Sequence, residues 1–290
     1  MNKYIYHTEV FYMNNAIHLL QSHTPIQMQS NIITTESGKV IAIDGGHRQD
    51  ACYFINYLKE ITGQEKPHID AWFFTHAHDD HMTCFYEIVE NHWDEIEVDK
   101  IYYNFPSAQF FSRVPHPDKS ATVTAQEFYD LLPRFADKVC IVFGGDKYEI
   151  GEAKIDILYT PDYEIEANVC NNTSIVFKVT IGEKTILMLG DAGIESGNKL
   201  LAKYKGTGVL EADVCQMAHH GQNGVTKEFY AEVKPEVCLW CAPKWLWEND
   251  AGKGFNTHCF KTVEVRQWMD EIGTVKKNVV DMDGTQEHIL

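Results

Sequence analysis

Residues 75–81 read THAHDDH, with three imidazoles and two carboxylates in seven consecutive positions. Imidazole and carboxylate are the ligand set that hydrolytic sites offer to zinc, manganese or iron. His76 and His78 are one residue apart, so on extended backbone both side chains leave the same side and can converge on one cation. Asp80 and His81 follow at once, and on a turn into a helix they can face a second cation or an attacking water. Asp79 or Asp80 would equally serve as an ordinary helix cap, which is the plain alternative. The apolar run IDAWFF (69–74) just before them has the character of a buried strand.

Two later segments repeat this arrangement. TILMLGD (185–191) is an apolar run ending in Asp191, and ADVCQMAHHGQNG (212–224) leads to His219-His220-Gly221. Taken singly, Asp191 is a turn residue, and His219 and His220 are loop residues. Three strands that each deliver a metal-type side chain at the C-terminal end define one rim of a sheet, where α/β architectures bind ligands.

The elements that must position these residues are legible from periodicity. IHLLQ (17–21) reads as a strand, and MQSNIITT with KVIAIDGG, joined at Glu36-Ser37-Gly38, reads as a hairpin ending at Gly45-Gly46. Residues 50–61 and the stretch MTCFYEIVENHWDEI have helical spacing. The reading continues with a strand at DKIYYNF, a loop over 105–120 and a helix over 122–136. Strands follow at 139–143, 155–159, 174–181 and 185–189, with short helices and strands alternating from 193 onward. This order suggests two similar halves packed as one domain, 1–290.

Composition narrows the function classes. Hydrophobic residues are 44% and charged residues 23%, the balance of a globular protein, and no apolar run approaches the roughly 18 residues of a membrane span. The start, MNKYIYHTEVF, has no apolar stretch or small-residue cleavage site, so a cytoplasmic location is the expectation. A net charge of −17 without a basic run opposes long duplex nucleic acid and leaves a small-molecule substrate. The eight cysteines are scattered in apolar segments and read as buried reduced thiols. Cys238-Leu239-Trp240-Cys241 has zinc-knuckle spacing, but it sits in a strand-like segment without a second pair to complete four ligands.

Taken together, H-x-H-x-D-H (His76, His78, Asp80, His81), the G-D ending at Asp191 and the late His-His-Gly resemble the metallo-β-lactamase superfamily, from about Asn31 to Gly284. IAIDGG, with Asp44, looks like the family strand whose aspartate supports the metal loop from behind. The resemblance implies an α/β (α+β) fold, an αββα four-layer sandwich with a dinuclear site at one edge. It also implies two divalent metal ions, zinc first, with manganese or iron as alternatives. His76 and His78 would hold one ion, Asp80 and His81 with one of His219 or His220 the other, and Asp191 would bridge. Asp80 would also orient the nucleophile, and the second histidine of the pair would donate a proton or contact the substrate oxyanion.

One departure concerns a further histidine that most dinuclear members carry in a T-P-G-H-T context. TPDY (160–163) lacks it, and Asn171-Asn172-Thr173-Ser174 stands at the corresponding distance before Asp191. This N-x-x-S pattern is similar to the subgroup with the hydrolase domain of the DNA-uptake competence protein and the teichoic-acid phosphorylcholine esterase. In that pattern Asn171 takes the histidine's place. The implied activity is metal-dependent hydrolysis of a phosphodiester or related small ester. Lactone or β-lactam cleavage and a non-catalytic metal-binding sensor are the alternatives. The redox di-iron branch carries a glutamate at the position of His78, which sets it apart. Lys244, Trp245 and His258 are further candidates for the mouth of the site.

Overall fold

Apolar runs that alternate or are wholly buried build fourteen strands, which a computed structural model describes over residues 13–290. MNKYIYHTEVF, on which the expectation about a secretory signal rests, lies outside the described residues. The first half contributes β1 (Ala16–Leu19), β2 (Ser30–Thr34), β3 (Val40–Asp44), β4 (His68–Phe74), β5 (Glu97–Tyr103) and β6 (Val139–Ile141). The second half contributes β7 (Lys147–Ile150), β8 (Ala153–Tyr159), β9 (Val176–Ile181), β10 (Lys184–Met188), β11 (Val214–Gln216), β12 (Val237–Trp240) and β13 (Lys277–Val280). A last strand, β14 (Gln286–Ile289), returns to the first sheet.

The strand orders are β14-β1-β2-β3-β4-β5-β6 and β13-β12-β11-β10-β9-β8-β7. In each sheet one part is antiparallel, and β3 to β6 and β10 to β13 are parallel. Parallel neighbours need crossovers. In the first half these are α1 (Ala51–Thr62), α2 (Asp79–Glu87), α3 (Ala108–Arg113) and α4 (Lys119–Leu131). A single-turn α5 (Val169–Asn172) enters β9, and α6 (Ile194–Tyr204), α7 (Lys227–Val233), α8 (Lys244–Trp247) and α9 (Thr262–Ile272) serve the second sheet.

Strand periodicity separates the layers. In β4, Trp72 and Phe74 point outward, with Trp72 5.0 Å from both Phe54 of α1 and Phe85 of α2. Ala71 and Phe73 point inward, and Phe73 stacks on Phe177 of β9 at 5.0 Å and on Tyr102 at 4.5 Å. The outer face of the second sheet is covered by α6, α7 and α9 through Leu200, Leu201, Phe229, Val233, Val265 and Met269. The result is the expected αββα sandwich.

Two details differ from the sequence reading. The 105–120 stretch contains α3 and the start of α4, because Ser107 and Asp118 cap them by accepting hydrogen bonds from Phe110 N and Ala121 N. The alternating KYEI segment, unread in the sequence, pairs as β7. The zinc-knuckle spacing is inert. Cys238 lies in the core under the helices and Cys241 between the sheets, as a three-residue offset on a strand demands, and all eight cysteines are free. Among the described residues, no helix is long and apolar enough to cross a membrane.

Phe73 ties the two sheets together, so Phe73→Ala should cost about 3–5 kcal/mol of unfolding free energy. Phe143→Ala, at a site 59% exposed, should cost close to nothing. Urea unfolding of both variants checks this, and equal midpoints would mean that the inter-sheet stack is not a structural tie.

Candidate metal centre

β3 and β4 are parallel neighbours, so their C-terminal ends place Asp44 beside Thr75. Asp44 is fully buried and left-handed, at φ 54°. Its carboxylate accepts from Thr75 N at 2.8 Å, Thr75 Oγ1 at 2.7 Å, Gln29 Nε2 at 3.0 Å and His81 Nδ1 at 2.8 Å. Burial pushes its pKa above the ordinary value, against the pull of His81 and Thr75.

These partners assign the imidazole tautomers, an inference from the hydrogen-bond network. His81 donates from Nδ1 to Asp44, which leaves the Nε2 lone pair free. The Thr75 hydroxyl proton goes to Asp44, so Thr75 Oγ1 accepts from His76 Nδ1 at 3.2 Å and His76 Nε2 is free. His78 Nε2 donates to Asp118 at 2.9 Å, freeing Nδ1, and His220 Nδ1 donates to the Cys241 carbonyl at 3.0 Å, freeing Nε2.

The free nitrogens converge. His76 Nε2 and His78 Nδ1 face each other 3.0 Å apart. His81 Nε2 lies 3.3 Å from Asp191 Oδ1, and His220 Nε2 lies 3.2 Å from Asp80 Oδ2 and 3.5 Å from Asp191 Oδ2. Potential ligand groups are Asp80-His81-His220, His76-His81-Asp191 and His76-His78-Cys170, each with its ligand atoms within 4.8 Å of one another. His81 Nε2, His220 Nε2 and Asp191 Oδ1 are buried without a hydrogen-bond partner. Orphaned polar atoms at such a density are costly unless something else satisfies them. The donor set and its spacing fit divalent cations, since ligands sharing one zinc stand roughly 3–4 Å apart, given bonds of about 2.0–2.1 Å.

The second sheet supplies its share of the rim through tight turns. Gly190 has φ 53°, and a Cβ there would fall 2.8 Å from Thr75 Cβ, so a glycine must precede Asp191. Asp191 N donates to Ser174 Oγ at 3.0 Å. Gly221 packs its bare Cα on the Trp240 ring, where a Cβ would meet carbon at 2.3 Å.

The profile of the metallo-beta-lactamase superfamily matches residues 24–241, three quarters of the chain. The chain belongs to this superfamily. A search of curated proteins returns no match. Similar solved structures include the metallo-beta-lactamase fold protein YhfI from Bacillus subtilis, at TM-score 0.52 and 12% identity, covering 94% of this chain and 100% of that one. CmlA, a diiron beta-hydroxylase from Streptomyces venezuelae, gives TM-score 0.56 and 14% identity, covering 96% of this chain and 54% of CmlA. Zn(2+)-bound PqqB from Methylobacterium extorquens gives 0.53 and 13%, covering 91% and 88%. At these identities the likeness is one of fold.

Within the superfamily frame, the site residues read from sequence fall together with one refinement. His76, Asp80, His81, Asp191 and His220 form a buried cluster, with the half-buried His78 at its edge. Of the histidine pair, left-handed backbone at φ 52° and 55° turns His220 into the cluster, while His219 lines the pocket above it with Nε2 3.7 Å from Asp191. Burial lowers the His219 pKa, and Asp191 and Asp80 lift His220 to about 9 against its burial. Burial pushes the Asp80 and Asp191 carboxyls up, but His81 and His220 hold both below the usual carboxylate range.

Asn172 is committed elsewhere. Its Oδ1 accepts from Gly193 N and Ser196 N, both at 3.1 Å, at the start of α6. Asn171 donates from Nδ2 to Asn168 at 2.8 Å and leaves a buried Oδ1 without a partner. Cys170 and Asp118 are near the site but were not foreseen. Asp118 was hidden in a stretch read as loop, and Cys170 among thiols read as core. Lys244, Trp245 and His258 are not among the residues lining the pocket itself. Trp245 Nε1 instead donates to Pro25 O at 3.0 Å, beside the pocket-lining Ile26 and Gln27, and His258 stacks on Phe260.

Asp44→Asn tests the network behind the site. An amide cannot accept on both sides, so at least one of its four donors is left unsatisfied. Unfolding of the metal-free protein should lose about 1–3 kcal/mol, and metal affinity by chelator competition should fall roughly 10–100-fold. Unchanged affinity would show that His81 keeps its orientation without Asp44.

Proposed function

We propose that the protein is a dinuclear metal-dependent hydrolase acting on a small phosphodiester. The observation that carries this reading is the convergence of buried, unpartnered His81 Nε2, His220 Nε2 and Asp191 Oδ1 beside the facing His76 and His78 nitrogens. His76 and His78, with a third donor from the 170–171 turn, would hold one cation. Asp80, His81 and His220 would hold the other, with Asp191 within reach of both groups. Zinc is the first choice for imidazole-rich donors, with iron and manganese as competitors. Cations in such a site supply Lewis acidity, lowering the pKa of water and drawing charge from the oxygen of the bond to be cut.

The chain's own side chains do the rest. Asp80, at the pocket wall, accepts a hydrogen bond from the attacking water and so aims it. His219, kept neutral by burial, offers an N–H to the substrate oxygen on which charge develops. Asp118 holds the His78 ring, and Asp44 the His81 ring, so neither must reorganise during turnover.

The pocket favours a small, weakly charged substrate. Its volume is about 270 Å³, at the lower edge of ligand sites. Asp79, Asp80, Asp118 and Asp191 line it, and among the described residues no lysine or arginine does. A multiply charged phosphate ester would meet these carboxylates with nothing but bound cations to offset them, whereas a diester carries a single charge.

The test is hydrolysis of bis-p-nitrophenyl phosphate by zinc- or manganese-loaded protein, beside nitrocefin and a simple lactone. Diester cleavage is expected, and Asp191→Asn should lower kcat by at least about 100-fold, some 2.7 kcal/mol of barrier. Cleavage of the lactone or nitrocefin alone would move the reading to acyl chemistry. Metal-loaded protein inert to all three would move it to a sensor.

A further inference from the structure

We propose that the third protein donor to the cation at His76 and His78 is the Cys170 thiolate and not the Asn171 amide, an inference that rests on the metal-centre reading above. Cys170 Sγ shares a cluster with the ring nitrogens of His76 and His78, the ligand atoms lying within 4.8 Å of one another. Among the described residues it is the cysteine that falls in such a group. Cys84, Cys215, Cys238 and Cys241 lie in the hydrophobic cores and in no such group, whereas Cys170, also part of the first core, meets the two histidines at its edge.

The turn that presents Cys170 is held from several sides. Asn168 opens it in the left-handed region at φ 42°, and Thr173 Oγ1 donates to the Cys170 carbonyl at 2.6 Å. Asn172 fastens it to α6 through Gly193 N and Ser196 N, and Ser174 Oγ receives Asp191 N at 3.0 Å. The same short segment therefore fixes both Cys170 and Asp191. Asn171, about 100° further round a helical turn than Cys170, donates its Nδ2 to Asn168 and leaves Oδ1 buried without a partner, so that amide oxygen is the competing donor.

Donor chemistry favours the same choice. An amide oxygen is a neutral, weak ligand, whereas a thiolate is anionic and binds zinc, cobalt or iron(II) strongly. As the sulfur–metal bond forms, the thiol proton leaves to solvent, so no oxidant or co-reactant is needed. The two cation sites then differ in kind. His76, His78 and Cys170 make a soft site that discriminates against manganese, while Asp80, His81 and His220 keep an oxygen donor.

Cobalt(II) loading of the full-length protein separates the possibilities. A thiolate ligand gives cobalt an intense near-ultraviolet charge-transfer band in addition to its visible bands. The expected result is two cobalt ions per chain with that band in the wild-type protein. Cys170→Ser should abolish the band and weaken the ion at His76 and His78 roughly tenfold or more in chelator competition, while Asn171→Ala retains the band. Two bound cobalt ions without a charge-transfer band overturn the inference and leave the metal-centre reading standing, and this result needs no variant. A band that survives Cys170→Ser, or one lost in Asn171→Ala, also overturns it. Absence of bound cobalt overturns both readings together.

Discussion

A single buried carboxylate organises this structure. Asp44 sits at the end of a central strand, out of contact with water, and accepts hydrogen bonds from the backbone and side chain of Thr75, from Gln29 and from His81. An uncompensated buried charge would be expensive, and these donors are its compensation. The same bonds fix where the neighbouring imidazoles point. Thr75 passes the effect to His76, and His81 is held directly, so both turn Nε2 toward the rim.

The rim is shared between two sheets, so its geometry depends on how they pack. His76, His78, Asp80 and His81 follow a strand of the first sheet, and Asp191 and His220 follow strands of the second. The registry between them is set by the inter-sheet core, where Phe73, two residues before Thr75, meets Phe177, three residues after Ser174. Close approach is completed at Gly190, whose bare Cα leaves room for the Thr75 side chain. The buried cluster thus inherits its rigidity from a core of ordinary aromatic and aliphatic packing.

Much of this was legible in the sequence because it lies in short-range patterns. H-x-H-x-D-H after an apolar strand, and apolar strands ending in Asp191 and in the histidine pair, gave the rim before any coordinates. The strand pattern with Asp44 pointed to its supporting role. What resisted reading depends on direction within a turn. His219 and His220 differ by one residue, and left-handed backbone at both decides which enters the cluster. Cys170, Asn171 and Asn172 are consecutive in one helical turn, so spacing places all three near the site and cannot say which faces it. Asp118 was masked because a cap at a helix start and a ligand-orienting carboxylate look alike in a polar stretch.

The central claim is that preoriented imidazole and carboxylate groups from both sheets enclose two cations. Anomalous diffraction from crystals of zinc-loaded protein, collected on both sides of the zinc absorption edge, tests it most directly. The account predicts two zinc peaks per chain, one bounded by His76 and His78 and the other by Asp80, His81 and His220, with Asp191 between them. A single peak at saturating zinc, or peaks bound outside this cluster, would contradict it.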